Sequence, residues 1–129
     1  RKPEVVVWGT GAPMREFLYV DDMADGCVFV MDMDDQALSD ELLSYPKRCF
    51  VNLGAWMDVT IHELAETLKN VVGFAGEIVF DPSKPDGTMR KLLDVSRMKA
   101  LGWAAKVPLR DGIDKTYEWF LKHQAYFRA

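Results

Sequence analysis

Apolar and polar positions along this chain alternate with two different periods, and the switches between them mark its elements. Val5-Val6-Val7-Trp8 is a β-branched and aromatic run that stops at Gly9-Thr10-Gly11-Ala12-Pro13, so it reads as a strand entering a turn. Glu16-Phe17-Leu18-Tyr19-Val20 reads as a second short strand. The period then becomes helical. Met23, Ala24, Cys27, Val28 and Met31 fall on one face of a helix over 22–33, with Asp21 or Asp22 placed to cap it. Asp34 to Lys47 is mixed and acidic, a surface connection with room for a short helix. Cys49-Phe50-Val51-Asn52-Leu53-Gly54 is apolar without alternation, as expected of a strand covered on both faces.

Thr60-Ile61-His62-Glu63 has the spacing of a capping box, in which the Thr60 hydroxyl accepts the Glu63 N–H and the Glu63 carboxylate accepts the Thr60 N–H. Ile61, Leu64, Ala65, Leu68 and Val72 continue as a helical stripe, and Gly73 is placed to close it in the left-handed conformation. Glu77-Ile78-Val79-Phe80 alternates as a half-exposed strand does, up to the break at Asp81-Pro82. A loop rich in turn formers and cations follows, from Ser83 to Lys91. Ser96 is expected to cap a short helix over 97–101 that stops at Gly102. Pro108 is expected in the first turn of a last helix reaching about Gln124, with Leu109, Ile113, Thr116, Tyr117, Phe120 and Leu121 facing inward.

Composition narrows the class. Across 129 residues, 49% hydrophobic and 28% charged residues fit a globular domain rather than a disordered segment. Sixteen basic residues against twenty acidic ones, with no polybasic run, argue against nucleic-acid binding. The apolar runs are too short to cross a bilayer and no signal peptide opens the chain, so no membrane partner and a cytoplasmic location are expected. Cys27 and Cys49 sit among apolar residues without metal-ligand spacing and are expected to be reduced, buried thiols. The start at Arg1-Lys2-Pro3-Glu4, without an initiator methionine and directly before a strand, suggests a piece of a longer protein.

Several chemistries lack their residues. Gly9-Thr10-Gly11 runs into Pro13 instead of opening a helix, which is the wrong setting for a phosphate-cradling glycine loop. His62 and His123 lie far apart, outside any HExxH pattern, so no metal site is expected and both read as helix-surface residues. None of Tyr19, Tyr45, Tyr117 and Tyr126 is followed four residues later by the lysine that short-chain dehydrogenases use beside a nicotinamide. What remains is anion recognition from loops. Arg15 stands at a loop mouth, where a guanidinium can clamp a diphosphate through two parallel N–H bonds, and Arg90 and Lys91 offer charge from a second loop. Trp8 can stack on a flat ring or fill a core. Taken singly, such residues are more often solvated charges or packing aromatics.

Together these residues carry a resemblance. The stretch Val5-Val6-Val7-Trp8-Gly9-Thr10-Gly11-Ala12-Pro13-Met14-Arg15-Glu16-Phe17-Leu18-Tyr19-Val20-Asp21-Asp22 resembles the segment that begins the substrate domain of GDP-L-fucose synthases, within the extended short-chain dehydrogenases. Val51-Asn52-Leu53-Gly54, Phe80-Asp81-Pro82-Ser83-Lys84-Pro85-Asp86-Gly87-Thr88, Arg90-Lys91-Leu92-Leu93-Asp94 and Thr116-Tyr117-Glu118-Trp119-Phe120-Leu121 agree in order and spacing. The resemblance implies an α/β fold: the C-terminal substrate-binding portion of a Rossmann-type enzyme, with short strands, four to five helices and the dinucleotide-binding half absent. It makes 1–129 one nucleotide-sugar-binding domain, whose 22–33 helix and 49–53 strand would pack on that missing half.

The family converts GDP-4-keto-6-deoxy-D-mannose to GDP-L-fucose by epimerising two carbons and reducing the keto group with NADPH. By resemblance, Arg15 and Lys91 would hold the GDP pyrophosphate, Trp8 would lie against the nucleotide-sugar, and Asp86 would accept the ribose hydroxyls. Arg90 and Lys84 would make phosphate or loop-ordering contacts. The family's reduction and epimerisation residues and its NADP loop belong to an upstream region, so no catalytic residue is assigned here and the chain alone is expected to be inactive. Its uncovered faces would favour a homodimer, including one formed by exchanging an element. Another NDP-sugar epimerase or dehydratase piece, or a non-enzymatic interaction module, stay open as alternatives. Two departures stand out: Gly54-Ala55-Trp56 where the family has Gly-Thr-Gly, and Met89 where it has proline.

Overall fold

The computed structural model describes residues 3–46 and 49–127. Arg1 and Lys2 of the opening segment and Lys47 at the end of the acidic connection lie outside them. The elements are β1 (Glu4–Trp8), β2 (Met14–Glu16), α1 (Val20–Met31), α2 (Asp35–Leu38), a π-helical turn (Ser39–Leu43), β3 (Asp58–Thr60), α3 (Ile61–Val72), β4 (Glu77–Asp81), β5 (Arg90–Lys91), α4 (Ser96–Ala100), α5 (Leu109–His123) and a 3-10 turn (Gln124–Phe127). They form two compact units, one from 3–15, 59–91 and 107–127, the other from 16–58 and 92–106.

In the first unit, β1 and β4 pair in parallel, in register from Glu4 with Glu77 to Trp8 with Asp81. A second sheet runs in the order β3-β2-β5, with β2 and β5 parallel. The helix α3 starts where the capping box predicts: Thr60 Oγ1 accepts the Glu63 N–H at 3.0 Å and Glu63 Oε2 accepts the Thr60 N–H at 2.7 Å. These bonds hold the Glu63 carboxyl below its ordinary range, the Thr60 backbone N–H contributing most. Two further N–H groups of that first turn donate to the loop before β2, Ile61 to the Pro13 carbonyl at 2.9 Å and His62 to the Gly11 carbonyl at 3.0 Å. A helix start thereby pins a loop, because both have backbone groups that need partners. Gly73 closes α3 at φ +72°. The helices α3 and α5 pack together. Pro108 is the residue before α5 rather than in its first turn, and the helix ends at His123, one residue before the expected Gln124. His62 is exposed and His123 half-buried, each stacked on an aromatic ring, Phe80 at 5.1 Å and Trp119 at 4.5 Å.

The second unit holds the large buried side chains: Leu42, Val95, Met98 and Trp103, with Met98 fully enclosed. The helix α1 is attached through its polar face. Asp25 Oδ2 accepts Trp103 Nε1–H at 2.8 Å and lies 3.4 Å from Lys106 Nζ, while the buried Asp22 accepts the Lys106 N–H at 3.0 Å. Gly26, one turn on from Asp22, is small enough to admit Trp103 and Leu53, which a methyl group there would meet at 2.9 and 2.8 Å.

Several expectations are corrected here. The second strand is only Met14–Glu16; Phe17 to Tyr19 are irregular because α1 begins at Val20, with Tyr19 at the cap and no side-chain cap bond. The Asp22 carboxylate turns to the Lys106 N–H instead of capping the helix. No strand forms over 49–54; the Phe50 carbonyl accepts from Arg97 Nη1 instead of a strand neighbour, and the Asn52 side chain donates from Nδ2 to the Asp94 carbonyl. Ser96 is the first residue of α4 and not its cap, and its N–H donates to Asp94 Oδ1 at 3.0 Å. Cys27 and Cys49 are exposed, not buried. Cys27 lies on the apolar stripe of α1, and that stripe faces solvent, up to 81% exposure at Met31.

Candidate functional site

Arg15 and Lys91, which stand in different loops by sequence, are register partners on the parallel strands β2 and β5. Neighbouring strands lie about 4.8 Å apart and paired residues share a face, so the two cations are adjacent and project to the same side. Met14 and Arg90 are the other pair, and alternation puts them on the opposite face. The three nominated cations of these strands therefore divide: Arg15 with Lys91, and Arg90 away from them. The Met14 N–H donates to the Met89 carbonyl at 2.8 Å, which ties the strands together just ahead of both cations.

The loop between β4 and β5 folds against Arg15. A methyl group built on Gly87 would approach Arg15 Nη2 to 3.3 Å, so the absence of a side chain there lets the guanidinium lie against the loop backbone. Arg15 is half-buried, and its Nη1 donates to the Met14 carbonyl at 2.6 Å, which fixes one side of the fork. Beside Gly87, Asp86 is bound to the loop after β1: Oδ1 accepts the Thr10 N–H at 2.8 Å and Oδ2 accepts the Thr10 hydroxyl at 2.7 Å. Those two bonds, the hydroxyl's first, lower the Asp86 pKa because they stabilise its anion. A carboxylate has about four lone-pair directions, so one on each oxygen stays open.

Glycine conformation makes this closeness possible. Gly9 and Gly11 have φ of +89° and +78°, and methyl groups on them would fall 2.3 Å from Asp86 Oδ1 and 2.5 Å from the Phe80 ring. Trp8 ends β1 with 73% of its surface exposed, and Lys84 Nζ sits 5.6 Å from its ring centre. Asp81 organises that turn, its Oδ1 accepting the Ser83 N–H at 3.0 Å and its carbonyl accepting the Lys84 N–H at 3.2 Å. Residue type alone did not mark Thr10 as part of the site. Its signal was the flanking glycines, which permit the left-handed turn that presents its N–H and hydroxyl on one side.

Comparison with known proteins shows what this chain is similar to. The NAD dependent epimerase/dehydratase family matches residues 1–44. A GDP-L-fucose synthase of Arabidopsis thaliana is 53% identical over 120 residues, covering 93% of this chain and 34% of the relative. The chain is homologous to about a third of a GDP-L-fucose synthase. Among solved structures, a GDP-6-OMe-4-keto-L-xylo-heptose reductase from C. jejuni superimposes with a TM-score of 0.83 at 41% identity, covering 92% of this chain and 34% of that one. A GDP-L-fucose synthetase from Naegleria fowleri bound to NADP gives 0.78 at 28% identity, covering 95% and 36%. The chain thus spans about a third of the length of the relatives it matches, and its fold is that of a Rossmann-type epimerase/reductase segment.

One departure from the GDP-L-fucose synthase pattern has a structural counterpart. Trp56 adopts φ +69°, the left-handed region that a glycine enters without cost and a bulky residue does not. Its N–H donates to Glu16 Oε1 at 2.8 Å and Lys99 Nζ lies 4.9 Å from its ring centre, contacts that hold the conformation. The Gly9-Thr10-Gly11 turn does not fit the phosphates of a dinucleotide. The spaces at Gly9 and Gly11 are filled by Asp86 and Phe80, and the turn leads into β2 instead of a helix N-terminus. Among the described residues, no group of three or more His, Cys, Asp or Glu side chains is placed to hold a metal, and no helix is long and apolar enough to cross a membrane.

Proposed function

We propose that this chain is the nucleotide-sugar-binding part of an NADPH-dependent GDP-L-fucose synthase, the enzyme that converts GDP-4-keto-6-deoxy-D-mannose to GDP-L-fucose. The observation that carries the reading is the pairing of Arg15 with Lys91 on adjacent strands beside Gly87. Two cations of different geometry a strand apart, one a planar fork and one a point charge, suit a pyrophosphate, whose oxygens a guanidinium meets in pairs and an ammonium meets singly. Asp86 accepts a ribose hydroxyl with its open lone pairs, and the exposed Trp8 ring lies against the nucleotide-sugar. Arg90, on the other face of β5, orders the loop, and Lys84 steadies the Trp8 ring. The names of the relatives support guanosine diphosphate as the nucleotide and NADP as the cofactor of the whole enzyme. The cofactor and the reacting groups belong to the rest of that enzyme, which makes this chain inactive by itself.

The apolar stripe of α1 docks on that dinucleotide-binding part, together with the segment 49–53. Met23, Val28 and Met31 are more than half exposed on a helix whose polar face is already engaged, so the stripe is available to a partner surface. In the isolated chain the same stripe drives homodimer formation, and the protein works in the cytoplasm.

Calorimetric titration tests the nucleotide reading. The chain binds GDP more tightly than UDP, and Arg15→Ala and Lys91→Ala each remove about 1.5–3 kcal/mol, the typical worth of a charged hydrogen bond. Absence of GDP binding, or unchanged affinity in both variants, sinks the reading. Light scattering that shows a monomer at all concentrations removes the dimer.

A further inference from the structure

The residue that touches Asp86 most is one to which the reading above gives no role. Thr10 binds both carboxylate oxygens at once, through its backbone N–H at 2.8 Å and its hydroxyl at 2.7 Å. The same hydroxyl oxygen accepts the Ala12 N–H at 3.2 Å, which fixes the direction of its proton toward Asp86. Gly9 lets the carboxylate come this close, since any side chain there would overlap Oδ1. A carboxylate held at both oxygens cannot rotate, so the lone pair left open on each oxygen has a fixed direction. A ribose hydroxyl is the donor such a fixed acceptor suits, because a carboxylate already held in place loses no freedom on accepting it.

We infer that Thr10 is a positioning residue that sets the Asp86 carboxylate for a ribose hydroxyl and so makes the site select a ribonucleotide over its deoxy counterpart. The inference rests on the GDP-sugar reading and deepens it. Thr10 touches no ligand; it acts through Asp86. Its hydroxyl donates to the carboxylate and accepts from Ala12, so valine, which has the same shape but no hydroxyl, leaves the carboxylate held by the Thr10-position N–H alone and free to turn.

The test compares GDP with 2′-deoxy-GDP by calorimetry on the chain, its Thr10→Val and Thr10→Ser variants, and Asp86→Asn. The ratio of the two affinities is the readout. The unaltered chain prefers GDP by about tenfold or more, the scale of one hydrogen bond to a charged acceptor. That preference falls about three- to tenfold in Thr10→Val, is retained in Thr10→Ser, which keeps the hydroxyl, and is lost in Asp86→Asn. Equal losses for both nucleotides in Thr10→Val mark a merely structural role and overturn the inference, as does an unchanged ratio. Should Thr10→Val not fold, the Thr10→Ser and Asp86→Asn arms decide: a ratio lost in Thr10→Ser or kept in Asp86→Asn overturns it. An unaltered chain that binds GDP and 2′-deoxy-GDP equally removes the inference while the diphosphate clamp stands. One that binds neither removes the GDP reading itself.

Discussion

The unit of 16–58 and 92–106 buries large apolar side chains, Val95, Met98 and Trp103 among them, whereas the unit with the candidate site buries Gly9, Gly11 and Pro13 around its loops and leaves Trp8 exposed. The first encloses apolar side chains, and the second closes its site loops with hydrogen bonds that reach through spaces only glycine leaves open. A binding surface needs its charged groups near solvent, so it cannot be stabilised by enclosing them. The carboxylates Asp86 and Glu63 and the carbonyls of Gly11 and Pro13 supply the order instead. This contrast says that the same kind of substitution should act differently in the two units.

The largest effect belongs to the packed unit. Met98→Ala removes a fully enclosed side chain and lowers stability by about 2–5 kcal/mol in urea denaturation, while Trp8→Ala at an exposed position shifts it by less than about 0.5 kcal/mol and weakens GDP binding. Equal destabilisation by the two would erase the contrast. Gly9→Ala comes next, about 1–3 kcal/mol, because φ +89° and the nearby Asp86 oxygen both oppose a methyl group; GDP affinity falls with it. A thermally unaffected variant would mean that loop closure does not need this glycine. Thr60→Ala opens the capping box and costs about 1 kcal/mol by thermal melting, and Thr60→Ser recovers most of it. The smallest is an acid effect. Trp103 Nε1–H, and after it Lys106, depress the Asp25 pKa, so its contribution is complete above about pH 4, the unfolded aspartate value, and is lost as pH falls through the lower folded value. Asp25→Asn therefore flattens the loss of stability below about pH 4, and an unchanged slope counts against the assignment.

Local signals survived in the fold wherever a residue acts on its own neighbours. The Thr60–Glu63 box and the Gly73 stop depend on interactions within a few residues, and the positive φ of Gly9 and Gly11 on the residue type itself. The segment 49–54 did not become a strand; its Phe50 carbonyl is taken by Arg97, 47 residues away, which composition does not reveal. The stripe of α1 was legible as a stripe, but not that Asp22, Asp25 and Gly26 on the other side would make the contacts. In the candidate site, the charges Arg15 and Lys91 and the carboxylate Asp86 could be nominated from residue type and resemblance. Their register could not, and neither could the separation of Arg90 from Lys91, which follows only from the pairing of two short strands. The flanking glycines marked Thr10 as part of a turn, but not as the partner of Asp86, which is 76 residues away.

The account depends on Arg15 and Lys91 acting together on one diphosphate. A double-mutant cycle in GDP affinity over Arg15→Ala, Lys91→Ala and their combination measures this directly. Cations that share one ligand group are predicted to couple by at least about 0.5 kcal/mol. Losses that add within error, or that appear for only one of the two residues, would contradict it.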